Sequence, residues 1–414
     1  MVDDSRPLCR HCGAPLTLSL VDLGVSAVSN SYVPLDKAAA PEPKFPLSAA
    51  VCETCWLVQL GHDVPADEIF TGDYAYFSSF SESWLAHSRA FAIDMIARLG
   101  LGPQSFVIEI ASNDGYLLKN FVEKGIPVLG IEPSGSVAAA AEKIGVPTRV
   151  EFFGKTLARE LRAEGLAPDL VCSANVLAHV PKIDDFVAGV AEILTGDAVY
   201  TVEFPHLLRM IEEVQFDTIY HEHYSYLSLL AVEKIFAAHG LRVFDVEELT
   251  THGGSLRVFA CLAGAGHREG ARVAKVRADE AAARLDRPEG YAGFAERVEA
   301  VRDGLLRFLR QARAEGKTVV AYGAAAKGNT LLNYCGIGPD LVSFCVDRNP
   351  AKQNTLLPGS HIPVHAVEKL RDRAPDFVLI LPWNLKAEVI RQLADLRDGG
   401  TRFVTAVPSI TVTA

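Results

Sequence analysis

"FVIEIASNDGYLLKNFVEKGIPVLGIEP", residues 106–133, decides the fold. The run FVIEIA has the length and apolar content of a buried strand, GYLLKNFVEKG has helical spacing, and VLGIEP is a second strand. Strand, helix and strand in such close succession form the unit from which parallel sheets are built. Chemistry is expected at the first junction. Ala111, Ser112, Asn113 and Asp114 lead to Gly115 at the helix start, where the backbone can approach a ligand and offer helix N-terminal amides. Glu109 stands just before this turn. Glu132 ends the second strand, seventeen residues beyond Gly115, where a carboxylate can hold ribose hydroxyls. The spacing is not GxGxxG, and a carboxylate suits a cationic sulfonium better than a pyrophosphate. S-adenosylmethionine is therefore the expected ligand, with other nucleosides as the open alternative.

Downstream the alternation continues through SVAAAAEKIG, PDLVCSANVL, a helix over about 183–194 and GDAVYTVEFP. GLRVFDVEELTTHGGSLRVFACLAG reads as paired, antiparallel strands that finish the sheet. From Glu269 to Gly316 the chain is charged and alanine-rich with helical spacing, which predicts long connecting helices. A second α/β unit follows in KTVVAYGAAAKGNTLLNYCG, VSFCVDRNP and DFVLILPWN. Its loop VVAYGAAAKGNT fits neither a dinucleotide loop nor a P-loop. It can still bind one phosphate through backbone amides, Lys327 and Asn329, or serve only as a tight structural turn.

Upstream, Cys9 and Cys12 in LCRHCG and Cys52 and Cys55 in VCETCW form two CxxC knuckles. Two knuckles bring four thiolates to one tetrahedral ion, and zinc held by four sulfurs is a closed, structural site. The long gap between the pairs requires an inserted segment that folds between them. His11 is expected to be a bystander, and Cys172, Cys261, Cys335 and Cys345 to be core residues. A lobe this small needs the metal to hold its turns and short strands together. A helix is expected from Ser83 to Leu99.

The densest chemistry lies in DTIYHEHYSYL, residues 217–227. HEH lacks the HExxH spacing of a helical metal site, so proton transfer is the favoured reading over metal binding or a plain polar loop. A loop over the cleft lets Tyr220, Glu222 and His223 converge while His221 points elsewhere.

The bulk numbers agree with a globular protein of two or three domains: 414 residues, 49% hydrophobic and 22% charged. A net charge of −11 argues against a general nucleic-acid or anionic-membrane partner. No apolar run approaches the roughly 20 residues of a membrane span. The start, MVDDSRPLC, has no signal pattern, so a cytoplasmic location is expected.

Together the double CxxC lobe, the ExxxNDG loop, the YxEH motif and YGAAAKGNTLLNYCGIGPDLVSFCVDRNPAKQNTLLPGSHIPV (residues 322–364) resemble the sugar C-3 methyltransferases over essentially the whole chain. Members of that family methylate nucleotide-linked 4-keto-6-deoxy sugars. The resemblance implies an α/β chain with a zinc-binding lobe (1–70) and a class I methyltransferase, Rossmann-like middle domain (71–265). A helical connector with a second Rossmann-like, sugar-nucleotide domain (266–414) would complete it. It also implies zinc on Cys9, Cys12, Cys52 and Cys55. S-adenosylmethionine would lie on Glu109, Ala111, Asn113, Asp114, Gly115, Glu132, Phe152 and Asn175. The catalytic set would be Tyr74 or Tyr76 of DYAYFSS, His179, Tyr220, Glu222 and His223. Ala111 and Ser112 depart from the Gly-Cys of the best-known members. The expected substrate is a nucleotide-diphosphate 4-keto-6-deoxy sugar, methylated at C3. The competing expectations are a NAD-dependent nucleotide-sugar oxidoreductase or epimerase, suggested by the paired α/β units, and a zinc-stabilised scaffold protein.

Overall fold

The computed structural model describes residues 7–62, 64 and 77–413. The central sheet has seven strands in the order Leu241–Leu249, Ser255–Leu262, Val199–Pro205, Leu170–Ala174, Val107–Ile110, Val128–Ile131, Thr148–Arg149. Five are parallel, and Ser255–Leu262 runs antiparallel to both of its neighbours. This is the class I methyltransferase order. Its reversal beside Val107–Ile110 opens a crevice at the carboxyl edge, where open α/β sheets bind ligands. The strand is buried at all four positions, as its unbroken apolar text requires.

Expected elements appear with small shifts: helices at Glu82–Leu99 and Ile183–Ile193, and connectors at Ala271–Ala282 and Phe294–Ala314. One element is much shorter than its text suggests. The helix after Gly115 is regular only over Lys119–Val122. Asn120 donates its side-chain amide to the carbonyls of Tyr116 and Leu117, which competes for the acceptors a regular helix would use.

The second α/β unit is a six-stranded sheet, ordered Val364–His365, Cys345–Val346, Val319–Tyr322, Phe377–Ile380, Arg402–Thr405, Thr411–Thr413, with the last strand antiparallel. In the N-terminal lobe the strands are longer than expected. Leu18–Ala27 pairs with Lys44–Val51, so the segment between the knuckles is a hairpin, followed by Val58–Leu60. A fourth strand comes from the YHEH segment itself: Ser225 and Tyr226 pair with Gln59 and Val58.

The units share their cores. Helix Phe294–Ala314 presents Val298, Val301, Leu305 and Leu309 at helical spacing, and these pack in one cluster with Leu47 and Val58 of the lobe and Leu379 of the last sheet. Each such side chain stabilises by roughly 1.5–3 kcal/mol when fully buried. His11 stays out of the four-cysteine cluster and pairs elsewhere: its Nδ1 lies 2.8 Å from Asp184 Oδ1, and His239 Nε2 reaches the same oxygen at 2.7 Å. Cys172, Cys261, Cys335 and Cys345 are buried. Among the described residues no helix is long and apolar enough to cross a membrane.

Candidate active site

The crevice beside Val107–Ile110 is built from a left-handed loop. Ala111, Asn113 and Gly115 have φ of 56°, 49° and 78°, which winds the chain tightly around the strand end. A side chain at Gly115 would press on Val146, Ile144 and Ala141 at 3.1–3.3 Å, so the position needs glycine for space as well as conformation. The Asn113 amide donates to Glu132 Oε2 at 3.0 Å and the Ser134 amide to Oε1 at 2.9 Å, so Glu132 ties the loop to the second strand. Burial pushes the Glu132 carboxyl up, against the pull of these two amides.

Several buried polar atoms around this loop have no hydrogen-bond partner among the described residues: both carboxylate oxygens of Glu109, Asp114 Oδ1, Asn175 Oδ1 and Ser112 Oγ. Burial raises the Glu109 carboxyl well above the ordinary range, although the Tyr116 hydroxyl lies near enough to oppose it. Asp114 Oδ1 and Asn175 Oδ1 are acceptors, and Glu109 becomes one when a bound cation favours its charged form. They call for a ligand with donors and positive charge, which S-adenosylmethionine has in its ammonium, sulfonium and ribose hydroxyls. The residues fit the cofactor. Phe152 is 76% exposed.

The YHEH segment is a loop, closed by a turn from His223 N–H to Tyr220 O (2.9 Å). His223 Nδ1 lies 2.8 Å from the Thr218 carbonyl, which can only accept, so the neutral ring carries its proton there. Nε2 is left with its lone pair and faces the Tyr220 hydroxyl at 2.7 Å. The His179 ring stands 4.5 Å from that of His223, with the main-chain carbonyl of Glu222 near enough to favour its charged form. Burial lowers His179 to about 4, and burial together with His179 holds His223 well below its ordinary value. Both rings are neutral at physiological pH.

Glu222 does not point at this pair. Its carboxylate receives the Asn30 side-chain amide at 2.8 and 2.7 Å, and burial pushes it up to about 7. His221 turns to the lobe, with Nε2 3.2 Å from Pro46 O and its ring edge-on to Phe45. Tyr74 and Tyr76 lie outside the described residues. Lys327 Nζ donates to Asn384 Oδ1 at 3.1 Å and lies over the Trp383 ring. The Trp383 indole donates to Asp217 Oδ2 at 2.7 Å. Burial lowers Lys327, and Asp217, raised to about 6 by burial, opposes that shift. Asn329 sits apart in the lobe interface: it is fully buried and donates to Ser29 O at 2.7 Å.

Three residues near this centre are absent from the sequence reading. Asp217 stands in the quoted motif without a role, and Trp383 follows the last apolar strand. His252, at φ 56°, stands edge-on to Trp84, and its neutral form is favoured by burial and Lys327. A histidine directly before two glycines at a strand turn was the available signal.

At the other end of the lobe the four thiols lie within 4.8 Å of one another, against the roughly 3.8 Å edges of a tetrahedron with Zn–S near 2.3 Å. Gln59 Nε2 donates to Cys9 Sγ at 3.2 Å while its Oε1 accepts the Arg10 amide, the outer support that orients a metal ligand. The site is a structural zinc centre.

Three family descriptions match successive parts of the chain: a zinc binding domain over residues 9–70, a methyltransferase domain over 84–246 and a C-methyltransferase C-terminal domain over 250–408. The chain is 36% identical over 410 residues to the C-methyltransferase NovU of Streptomyces niveus, covering 99% of this chain and 97% of NovU. The chain belongs to this C-methyltransferase family. It is a methyltransferase that uses S-adenosylmethionine, which displaces the oxidoreductase and scaffold alternatives. Similar solved structures include magnesium protoporphyrin IX methyltransferase from Synechocystis with bound S-adenosylhomocysteine, at 15% identity, 42% of this chain, 82% of that chain and a TM-score of 0.34. A second is an S-adenosylmethionine dependent methyltransferase from Mesorhizobium loti, at 14%, 42%, 99% and 0.34.

Proposed function

We propose that the C-methyltransferase acts on C3 of a nucleotide-diphosphate 4-keto-6-deoxy sugar, and that Tyr220 and His223 form the pair that removes the C3 proton. The observation that carries this reading is the 2.7 Å contact between the Tyr220 hydroxyl and the lone pair of a neutral His223. A saturated carbon becomes a nucleophile only by losing a proton, and a neighbouring ketone makes that loss feasible. His223 Nε2 is the terminal proton acceptor, and Thr218 O holds the ring in the tautomer that leaves Nε2 free to accept. As the C3–H bond breaks, its electrons pass to the C4 oxygen as an enolate. The bound cofactor supplies an electrophilic methyl group on sulfur. Lys327 carries the positive charge, and neutral His179 the ring N–H, that a diphosphate or enolate oxygen would meet, and Lys327 disfavours protonation of His223 until that negative charge arrives. Tyr74 or Tyr76 completes the set in this reading.

A panel of thymidine-, guanosine- and cytidine-diphosphate 4-keto-6-deoxy sugars, incubated with S-adenosylmethionine and analysed by mass, tests the substrate class. Deuterium exchange at C3, run with S-adenosylhomocysteine in place of the donor, isolates the proton step. The native enzyme should exchange. His223→Asn should exchange ~10²–10⁴ times more slowly, the usual contribution of an acid–base group, with little change in cofactor affinity. Exchange at the native rate in His223→Asn would move the base to His179 or a tyrosine of DYAY.

A further inference from the structure

The loop of the zinc lobe around Val28–Tyr32 is wedged into the candidate site. Ser29 O accepts the Asn329 amide at 2.7 Å, and Tyr32 donates to Ala324 O, so the last α/β unit grips the loop on both sides. Thr330 of the same helix donates to Ile219 O at 3.1 Å, just ahead of the YHEH turn. Between these anchors Asn30 offers its side-chain amide to both oxygens of Glu222, and its main-chain N–H reaches the same carboxylate. Glu222 is enclosed, 2% exposed, whereas Asn30 is itself exposed. Lys352, which bonds Ala324 O at 2.7 Å, faces the carboxylate from the C-terminal unit, and His179 lies beside the Glu222 main chain on the methyltransferase side.

We propose that Asn30 is a positioning residue for Glu222, so that the zinc-bearing lobe supplies part of the acid–base machinery and not only stability. This rests on the proposed function, extended to a charged Glu222 that supports proton transfer from its place between Tyr220 and His223 in the chain and not through contact with their side chains. A buried carboxylate without donors takes up a proton and turns. Asn30 holds it oriented and favours its charged form, with Lys352 adding to that effect. The lobe and the YHEH turn are therefore coupled through one side chain in addition to the shared strand pairing.

The test uses full-length, zinc-loaded protein carrying Asn30→Ala or Asn30→Asp. The Glu222 carboxyl is titrated by infrared difference spectroscopy with labelled glutamate, and Glu222→Gln serves as the spectral blank. Asn30→Ala should move the Glu222 midpoint upward. Asn30→Asp should move it further, because a second negative charge then faces the first. The acid limb of kcat for thymidine-diphosphate 4-keto-6-deoxyglucose should follow by the same displacement, a roughly fivefold loss of kcat at pH 7 for the first unit of midpoint change, because a group titrating at about 7 is half charged there. S-adenosylhomocysteine affinity and zinc content should stay at native values, and Asn30→Gln should recover part of the rate. An unchanged carboxyl midpoint in both variants overturns the proposal. A moved midpoint with an unmoved rate profile also overturns it, since the contact would then serve nothing in the chemistry. If the native enzyme is silent on that sugar, the substrate assignment fails instead, and the carboxyl titration alone decides the link between Asn30 and Glu222.

Discussion

Glu132 ties the loop to the second strand, and in the proposed reading it also meets the cofactor. Its two oxygens each accept one main-chain amide, from Asn113 and Ser134, which leaves a lone pair on each for a ribose hydroxyl. Glu132→Ala removes the loop tie and, in this reading, the ribose contacts at once. S-adenosylhomocysteine binding measured by calorimetry should weaken by ~1.5–3 kcal/mol, the worth of hydrogen bonds to a charged partner. Nucleotide-sugar affinity should change little. Equal weakening of both ligands would place the donor elsewhere. The text shows this residue because its position follows from the strand–turn–helix–strand spacing. Asn30 had no such signal: it sits in an unremarkable run, SAVSNSY, and gains meaning only when Glu222 arrives from 192 positions away.

At the scale of elements, the knuckles and their hairpin are the clearest case. CxxC pairs are short-range patterns, so their ligands are legible without a fold. The hairpin Leu18–Ala27 with Lys44–Val51 then buries Leu20, Leu23 and Leu47 on one face. Zinc binding is folding free energy for such a lobe. Cys52→Ser should leave less than one zinc per chain and lower stability by at least ~3 kcal/mol, read by metal analysis and chemical denaturation. A metal-free variant of native stability and native rate would refute the structural role. Helix Leu229–Ala238 teaches the converse. Its first amides, Leu229 N and Leu230 N, are capped at 2.6 and 2.8 Å by Glu280, a residue of the connector that also holds His206. Ser228, the local N-cap, also accepts, from Ala231 N. The second, distant cap was invisible because it depends on how the connector packs.

At the scale of the whole molecule, the site is a meeting of charges from all three units, and their titrations oppose one another. Neutral His179 is lowered to about 4, so the unfolded chain takes up a proton first as pH falls below its ordinary 6.5, and the fold loses stability. Glu222 is raised from an ordinary 4.5 to about 7, so the folded chain takes up the proton first. Its contribution is complete below about pH 4.5 and is lost as pH rises through 7. The two trends offset each other in the native protein. Glu222→Gln removes one of them. Relative to native protein, the variant should lose on the order of 3 kcal/mol of stability between pH 8 and pH 4.5, at about 1.4 kcal/mol for each unit of raised pKa. Denaturant melts at several pH values measure this difference. A difference independent of pH would mean that Glu222 is charged in the folded protein throughout.

By itself the sequence determined what depends on near neighbours: the alternation of strand and helix, the small-residue turn between Glu109 and Gly115, and the thiol pairs. Tertiary structure decided where the rest points. Tyr220, Glu222 and His223 are adjacent in the text, yet two meet each other while the third turns to Asn30. Lys327 and Asn329 are two positions apart, yet one stands over Trp383 and the other is sealed against Ser29. The reason is physical. Side-chain direction in a loop or a helix start has no fixed period, so it is set by which distant donors and acceptors must be satisfied once the units close on one another.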